Sequence, residues 1–304
     1  MEPLATATPI GIRPLTAHLG AEISGVDLTR DVPAETFAAV YRAFLEHRVL
    51  LFAPQEVPPG AQVAFARQFG EVQVHVMAMY HADGHPELYR LSNLDAEGKP
   101  NGKHPDKGTL YWHTDGSWRR RTGQATIIYG EVVPEHGGET HFCDMVGAYE
   151  RLSPAWKQRI AGLRAIHNLD FSRTRRHGID LMTEAQKREA PPVDQPVVRR
   201  HPETGRLCLY LGDHAESIVG MPYDEGRALI EELNALATSH TGLRYEHRWQ
   251  AGQLLLWDNR CVMHMATPYD PDTQRRVVRR CTVLGEVPVG PDTALSPSPE
   301  PRLP

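Results

Sequence analysis

The feature that most constrains this chain is a succession of short strand-forming runs. From Leu88 onward these are Leu88–Leu91, Ala125–Val133, Arg164–Asn168, Leu207–Leu211, Leu243–Trp249, Leu254–Trp257 and Val277–Leu284, separated by Gly, Pro and Asp-Asn turns. Many short strands bury their apolar sides only by facing a second layer, as in a sandwich or barrel. In 243–249 the residues Leu243, Tyr245, His247 and Trp249 alternate with Arg244, Glu246 and Arg248, which predicts one packed and one wet face. One late helix interrupts the series, from about Asp224 to His240, with Leu229, Ile230, Leu233 and Leu236 as its apolar stripe.

Ahead of these strands, 12–28 carries short β-prone pieces around Gly20 and Gly25. Ala34–His47 places Phe37, Val40, Phe44 and Leu45 at helical spacing. Val49–Phe52 is a buried-strand candidate. A second helix follows Pro58-Pro59-Gly60 and ends near Phe69-Gly70, where glycine suits a left-handed cap.

A chain of 304 residues can bury one large core, and no composition break marks a linker, so residues 1–288 read as a single domain. Within it, 171–200 is polar and irregular, with Arg173, Arg175, Arg176 and His177 ahead of a short helical piece and Pro191-Pro192, and reads as a lid insert or a surface excursion. The proline-rich stretch 289–304 is expected to be a disordered tail. A net charge of −5 with basic residues in short groups leaves no broad positive face, so nucleic acid is not an expected partner. No apolar run approaches the roughly 20 residues that span a bilayer, and Met1-Glu2-Pro3 does not open a signal peptide. The expectation is a cytoplasmic protein without membrane contact. Cys143, Cys208, Cys261 and Cys281 are far apart with no C-x-x-C pair, and read as reduced packing residues.

The chemistry-bearing residues begin with Trp112-His113-Thr114-Asp115. In extended backbone His113 and Asp115 leave the same face and can meet one cation. The buried strand Leu254–Trp257 runs into Asp258-Asn259-Arg260, and His264 lies just beyond, able to converge on them from another strand. Two imidazoles and a carboxylate on one face of an octahedral metal leave three positions open, which suits Fe(II) with a bidentate cosubstrate and dioxygen. Zinc, tetrahedral and with one water, is the alternative, a hydrolase on the same triad. Arg275 and Arg276, at the start of Val277–Leu284, can grip a dicarboxylate, and Thr140 in Gly137-Gly138-Glu139-Thr140 can add a hydrogen bond. Together these define a 2-oxoglutarate pocket.

The constellation resembles the taurine and 2,4-dichlorophenoxyacetate dioxygenase family of Fe(II)/2-oxoglutarate enzymes from Leu15 to about Pro288. The pieces that carry the likeness stand in family order: Leu19-Gly20-Ala21-Glu22-Ile23, Gly25-Val26-Asp27-Leu28, Phe69-Gly70-Glu71, the H-x-D pair, 137–140, Trp257-Asp258-Asn259-Arg260 and Arg275-Arg276-Val277-Val278-Arg279-Arg280. The resemblance implies a β-rich fold with flanking helices, a double-stranded β-helix (jelly roll, cupin-like). It implies His113, Asp115 and His264 as iron ligands, and Thr140 with Arg276 on the distal carboxylate of 2-oxoglutarate, Arg275 being the fallback. Trp257 would line the iron site. Arg280, on the strand face of Arg276, would bind the anionic group of a small organic substrate, joined by His75 and His214. The cofactors implied are Fe(II), 2-oxoglutarate and O2, with succinate and CO2 as coproducts, and a homo-oligomer is expected. Where the sulfonate-specific branch has an asparagine, Thr109-Leu110-Tyr111 stands here, and Phe142-Cys143-Asp144-Met145 with Leu211-Gly212-Asp213-His214-Ala215 is similar to the aryloxyalkanoate branch. An aryloxyalkanoate-like carboxylate is the expected substrate; an alkylsulfonate or alkyl sulfate is the alternative.

Overall fold

A computed structural model describes residues 10–179 and 182–293. The entry to the fold comprises β1 (Gly11–Pro14), β2 (Ala21–Ser24), α1 (Ala34–His47), β3 (Val49–Phe52), α2 (Pro59–Phe69), β4 (His81–Ala82) and β5 (His85–Ser92). The middle comprises β6 (Gly123–Val132), β7 (Thr140–Asp144), α3 (Met145–Arg151), α4 (Pro154–Ile160), β8 (Arg164–His167), α5 (Leu169–His177), α6 (Glu184–Glu189), β9 (Val193–Pro196), β10 (Val198–Arg200), β11 (Leu207–Leu209) and β12 (Ala215–Ile218). The chain closes with α7 (Tyr223–Ser239), β13 (Arg244–His247), β14 (Leu254–Asp258), β15 (Val262–Ala266) and β16 (Val277–Leu284).

Why β14 reads as an unbroken apolar run follows from its place. It lies inside an eight-stranded sheet of order β1-β2-β3-β14-β6-β16-β5-β4 and is antiparallel to both neighbours. Both faces of that sheet are covered. Leu255 and Trp257 point to one core with Val49 and Leu51 of β3, while Leu254 and Leu256 point to another with Leu50 and Phe52. The second core is closed by α1 and α2, whose Phe37, Phe44, Phe65 and Phe69 pack edge to face. The first is closed by the three-stranded sheet β13-β7-β15, which contributes Phe142, Val262 and Met263. The two facing sheets with helices outside form the jelly roll, and the candidate residues cluster where its sheets open.

The early helices and the alternation in β13 match the sequence reading, with Leu243 and His247 buried and Glu246 and Arg248 exposed. Several expectations need correction. The late helix stands where it was expected, as α7, but four short helices, α3 to α6, precede it, of which only a short helical piece within 171–200 was expected. Each has fewer than ten residues, too few for a periodic stripe, and only the polar caps Asp144, Ser153, Asn168 and Thr183 announce them. The segment 171–200 is therefore not irregular: it holds most of α5, all of α6, and β9 and β10. In α7 the fourth buried position is Ala237, because Leu236 has turned outward to 36% exposure. Gly70 sits at φ 147°, a region that favours glycine, but outside the left-handed helical range expected for its cap. That role falls at α1 to Arg48, at φ 64°, whose guanidinium lies 2.6 Å from Asp144. Val289 pairs with the backbone of Arg200, so the stretch expected to be a loose tail starts docked on the domain; residues 294–304 lie outside those described. The four cysteines are buried and in no disulfide. Among the described residues no helix is long and apolar enough to cross a membrane.

The corrected stripe of α7 has a measurable consequence. Leu233→Ala empties a fully buried site and is expected to cost about 2–5 kcal/mol, whereas Leu236→Ala is expected to stay within about 1 kcal/mol. Denaturant midpoints of the two variants, compared with unchanged slopes, check this.

Candidate active site

His113 and His264 meet through their backbones. The amide of His113 donates to the carbonyl of His264 at 3.0 Å, and that of His264 returns a bond at 2.9 Å, an isolated antiparallel bridge. Opposed residues in such a pair send side chains to one face, and the two imidazole rings stand 4.2 Å apart. His264 is central in β15 and opposes Phe142 of β7, so its half of the bridge is part of the small sheet. The approach is possible because Gly212, at φ 105°, leaves room: a Cβ there would lie 3.0 Å from the Cα of His113. Asp115 follows at a turn, and a Cβ on Gly123 would come within 2.4 Å of its carbonyl oxygen.

The carboxylate of Asp115 is held on both oxygens. Oδ1 lies 2.8 Å from Nη1 of Arg280 and 3.8 Å from Nε2 of His113, while Oδ2 accepts from Thr126 at 2.7 Å and lies 3.5 Å from Nε2 of His264. Burial works to raise its pKa, but Arg280 and the two imidazoles outweigh burial and hold it well below the usual carboxylate range. His264 is pushed far below its ordinary value, first by burial and then by His113, so it is a neutral imidazole. Nδ1 of His113 lies 2.7 Å from the carbonyl oxygen of Tyr111, which can only accept, so the ring proton sits on Nδ1 and the Nε2 lone pair faces Asp115.

This donor set fits a divalent cation. The three ligand atoms lie within 4.8 Å of one another, and the imidazole to carboxylate gaps of 3.5 and 3.8 Å exceed hydrogen-bond length. Ligands at about 2 Å from a common ion stand roughly 3 Å apart, so a small inward adjustment suffices. A second cluster, His201, Asp258 and Cys261, does not fit. Arg260 takes both oxygens of Asp258 at 2.8 and 2.7 Å, His201 lies 3.0 Å from one of them, and Nδ1 of His201 accepts two backbone amides. The lone pairs of His201 and Asp258 thus already have donors, and burial pushes the Cys261 thiol well above its ordinary value, away from the thiolate a metal needs.

Around the first cluster, Trp257 is fully buried with its ring 4.5 Å from that of His264. Its indole N–H is spent on Asn259 at 3.0 Å; Asn259 in turn donates to Thr126 at 2.8 Å and accepts the amide of Asp115. Thr126 and Asn259 thus orient the carboxylate, and sequence reading passed over both. The signal for Thr126 was a lone hydroxyl in the apolar strand Ala125-Thr126-Ile127-Ile128. Thr140 lies on β7 and accepts from Trp249 at 3.0 Å. Arg276 is buried, whereas Arg275 is exposed. Among the described residues the guanidinium of Arg276 has no carboxylate and no hydrogen-bond acceptor; its neighbour is the ring of Tyr269 at 6.0 Å. Burial lowers its pKa.

Beside the cluster opens a cavity of about 610 Å³, its solvent-open mouth included, which His75, Tyr89, Asp106, Trp118, His214 and Arg280 help to line. His75 packs against Tyr89 and Trp118, with ring centroids at 4.7 and 5.7 Å. Its Nδ1 accepts the amide of Met77, and burial pushes its pKa down to about 3, so Nε2 carries the proton of a neutral ring. His214 is 3.2 Å from the hydroxyl of Ser117 and is lowered by burial to about 4. Of the nine residues expected at the site, Thr140, Trp257, His264 and Arg280 lie in β7, β14, β15 and β16 and Arg276 just ahead of β16, while His75, His113, Asp115 and His214 lie in the loops before β4, β6 and β12.

Residues 11–282 match the family described as taurine catabolism dioxygenase TauD, TfdA family. The chain belongs to this family. It is 34% identical over 281 residues to an α-ketoglutarate-dependent 2,4-dichlorophenoxyacetate dioxygenase of Cupriavidus pinatubonensis, covering 90% of this chain and 97% of that protein. To an (S)-phenoxypropionate/α-ketoglutarate dioxygenase of Sphingobium herbicidovorans it is 33% identical, covering 90% and 95%. Among solved structures, that of AAD-2 in complex with Mn(II) and N-oxalylglycine superposes with a TM-score of 0.82 at 35% identity, covering 92% of this chain and 98% of that one. This TauD/TfdA member is thus an enzyme of the 2-oxoglutarate-dependent dioxygenase type, on a jelly-roll fold.

Asn259→Ala removes the group that links Trp257, Thr126 and the backbone of Asp115. It is expected to weaken divalent-metal affinity roughly 10–100-fold while leaving the fold intact, as read by chelator competition alongside circular dichroism.

Proposed function

We propose that this protein hydroxylates a small aryloxyalkanoate-like carboxylate, with Fe(II) held by His113, Asp115 and His264. Thr140 and Arg276 hold the distal carboxylate of 2-oxoglutarate, and Arg280, His75 and His214 face the substrate. The observation that carries this reading is the guanidinium of Arg276, buried without a carboxylate among the described residues. A buried, unpaired charge costs several kcal/mol, and a planar fork of this kind is matched by a carboxylate. A zinc hydrolase has no use for it.

Bound at the triad, Fe(II) with 2-oxoglutarate and O2 would supply oxidative decarboxylation to succinate and CO2, coupled to hydroxylation of a substrate C–H bond. The protein's part is placement. The proton on Nδ1 of His113 is kept by Tyr111, so the opposite nitrogen stays free to ligate. Thr126 holds one oxygen of Asp115 and, through Asn259, the backbone that carries it. Trp257 and Phe142 pack against His264 and keep water from that side. Toward the substrate, His75 offers an N–H and Arg280 a buried Nε without a partner among the described residues, two donors suited to an oxyanion. Hydroxylation of the carbon that bears an ether oxygen gives a hemiacetal, which breaks to a phenol and a carbonyl acid.

Succinate formation in air with Fe(II) and 2,4-dichlorophenoxyacetate tests the assignment. His113→Ala is expected to abolish it, and undiminished turnover would sink the proposed triad. Arg276→Ala is expected to raise the KM for 2-oxoglutarate roughly 100-fold, with a much smaller effect on the aryloxy acid. Turnover without O2 or 2-oxoglutarate would favour the hydrolase instead.

A further inference from the structure

The cavity carries a second arginine that sequence reading left without a role. Arg173 projects from α5, only 6% exposed, and lines the same cavity as Arg280. Its one ion pair among the described residues is long: Nη1 stands 3.4 Å from Oδ2 of Asp106. That carboxylate is already shared, accepting the amide of Gly108 at 2.9 Å and the hydroxyl of Tyr89 at 3.3 Å, with His177 at 3.5 Å. Among the described residues the Nε and Nη2 atoms of Arg173 are buried with no hydrogen-bond partner, as is Nε of Arg280. The hydroxyl of Tyr80, which donates to the carbonyl of Pro105, lies close enough to accept a hydrogen bond from the Arg173 guanidinium as well.

Tyr89 ties the two guanidinium groups together. Arg280 stacks over its ring at 4.8 Å, His75 packs on it at 4.7 Å, and its hydroxyl reaches the carboxylate that Arg173 pairs with. Unspent N–H donors from two strands of sequence, the β16 floor and the α5 wall, therefore surround one space. Buried guanidinium donors left unbonded are costly, and the group that satisfies them from two sides is an oxyanion with at least two acceptor atoms. Fork-shaped donors suit a carboxylate or sulfate head.

We propose that Arg173 is a second substrate-positioning residue, sharing the anionic head of the substrate with Arg280 so that α5 is held over the cavity by the ligand itself. This rests on the cavity being the substrate site of the dioxygenase. Asp106 then serves as the counter-ion that keeps Arg173 in place before the substrate arrives.

Calorimetry on the full chain loaded with Mn(II) and N-oxalylglycine tests this without turnover. The probes are 2,4-dichlorophenoxyacetate and its uncharged analogue 2-(2,4-dichlorophenoxy)ethanol. Arg173→Met is expected to weaken the acid at least about tenfold, to leave the alcohol and N-oxalylglycine within about twofold, and Arg173→Lys to fall between. Equal losses for acid and alcohol, or none for either, would overturn the proposal, since a residue that only shapes α5 does not discriminate by charge. If wild type takes N-oxalylglycine but binds acid and alcohol alike, the two-arginine site is overturned and the 2-oxoglutarate reading stands. If wild type takes no N-oxalylglycine, it is the cosubstrate assignment that fails.

Discussion

The reciprocal backbone pair between His113 and His264 is the constraint on which the rest of the site depends. It joins a loop to a strand and turns two imidazoles to one side at 4.2 Å. For it to form, β15 must pair with β7, β14 must deliver the chain into the turn before β15, and Gly212 must let another backbone pass at contact distance. The jelly roll is in this sense a device for closing one two-residue bridge. Asp115 needs no long-range pairing of its own, because it follows His113 by two residues. What it needs is orientation, and the buried chain Trp257, Asn259 and Thr126 provides it.

Charge decides what else the interior can hold. Asp115 and Asp106 each have a cation or donor on both oxygens, whereas among the described residues the guanidinium groups of Arg276, Arg280 and Arg173 retain donors without partners. In a low-dielectric interior the cost of an unpaired cation is far larger than that of an exposed one, so this asymmetry is a selective demand for anions. Of the other buried arginines, Arg199 keeps an Nε unpartnered among the described residues beside its ion pair with Glu286, and two illustrate the contrast. Arg260 is saturated by Asp258 and Glu203, Arg279 by Gln62, Val57 and Glu131, and neither region has the spare donors of a binding site. Arginine count does not distinguish these groups; acceptor count around each does.

Much of this was legible beforehand. The apolar runs of β3 and β14, the stripes of α1 and α7, and the H-x-D pair with a distant histidine are local patterns, and burial follows local pattern wherever an element is long enough to show a period. The helices α3 to α5 escaped because each spans about two and a half turns or fewer and is stabilised by its cap and its contacts, not by a long apolar face. The segment 171–200 looked irregular for the same reason: the charged side chains of α5 reach Asp106, Asp213 and Glu231, and partners so distant in sequence leave no periodic trace. Leu236 and Ala237 exchanged places because a stripe on paper admits spacings of three and four, and only the neighbouring elements select one.

The sequence by itself determined the kinds of ligand available, the order of the strands and, through a family likeness, the reaction class, because these depend on residue type and spacing. Only the tertiary structure decided that Arg276 and not Arg275 is buried, that Asn259 and Thr126 hold Asp115, and that Arg173 stands with Arg280 around Tyr89. Each of these is a statement about which donor meets which acceptor across long stretches of chain. Such pairings are set by the closing of two sheets against one another, and no local period in the sequence encodes them.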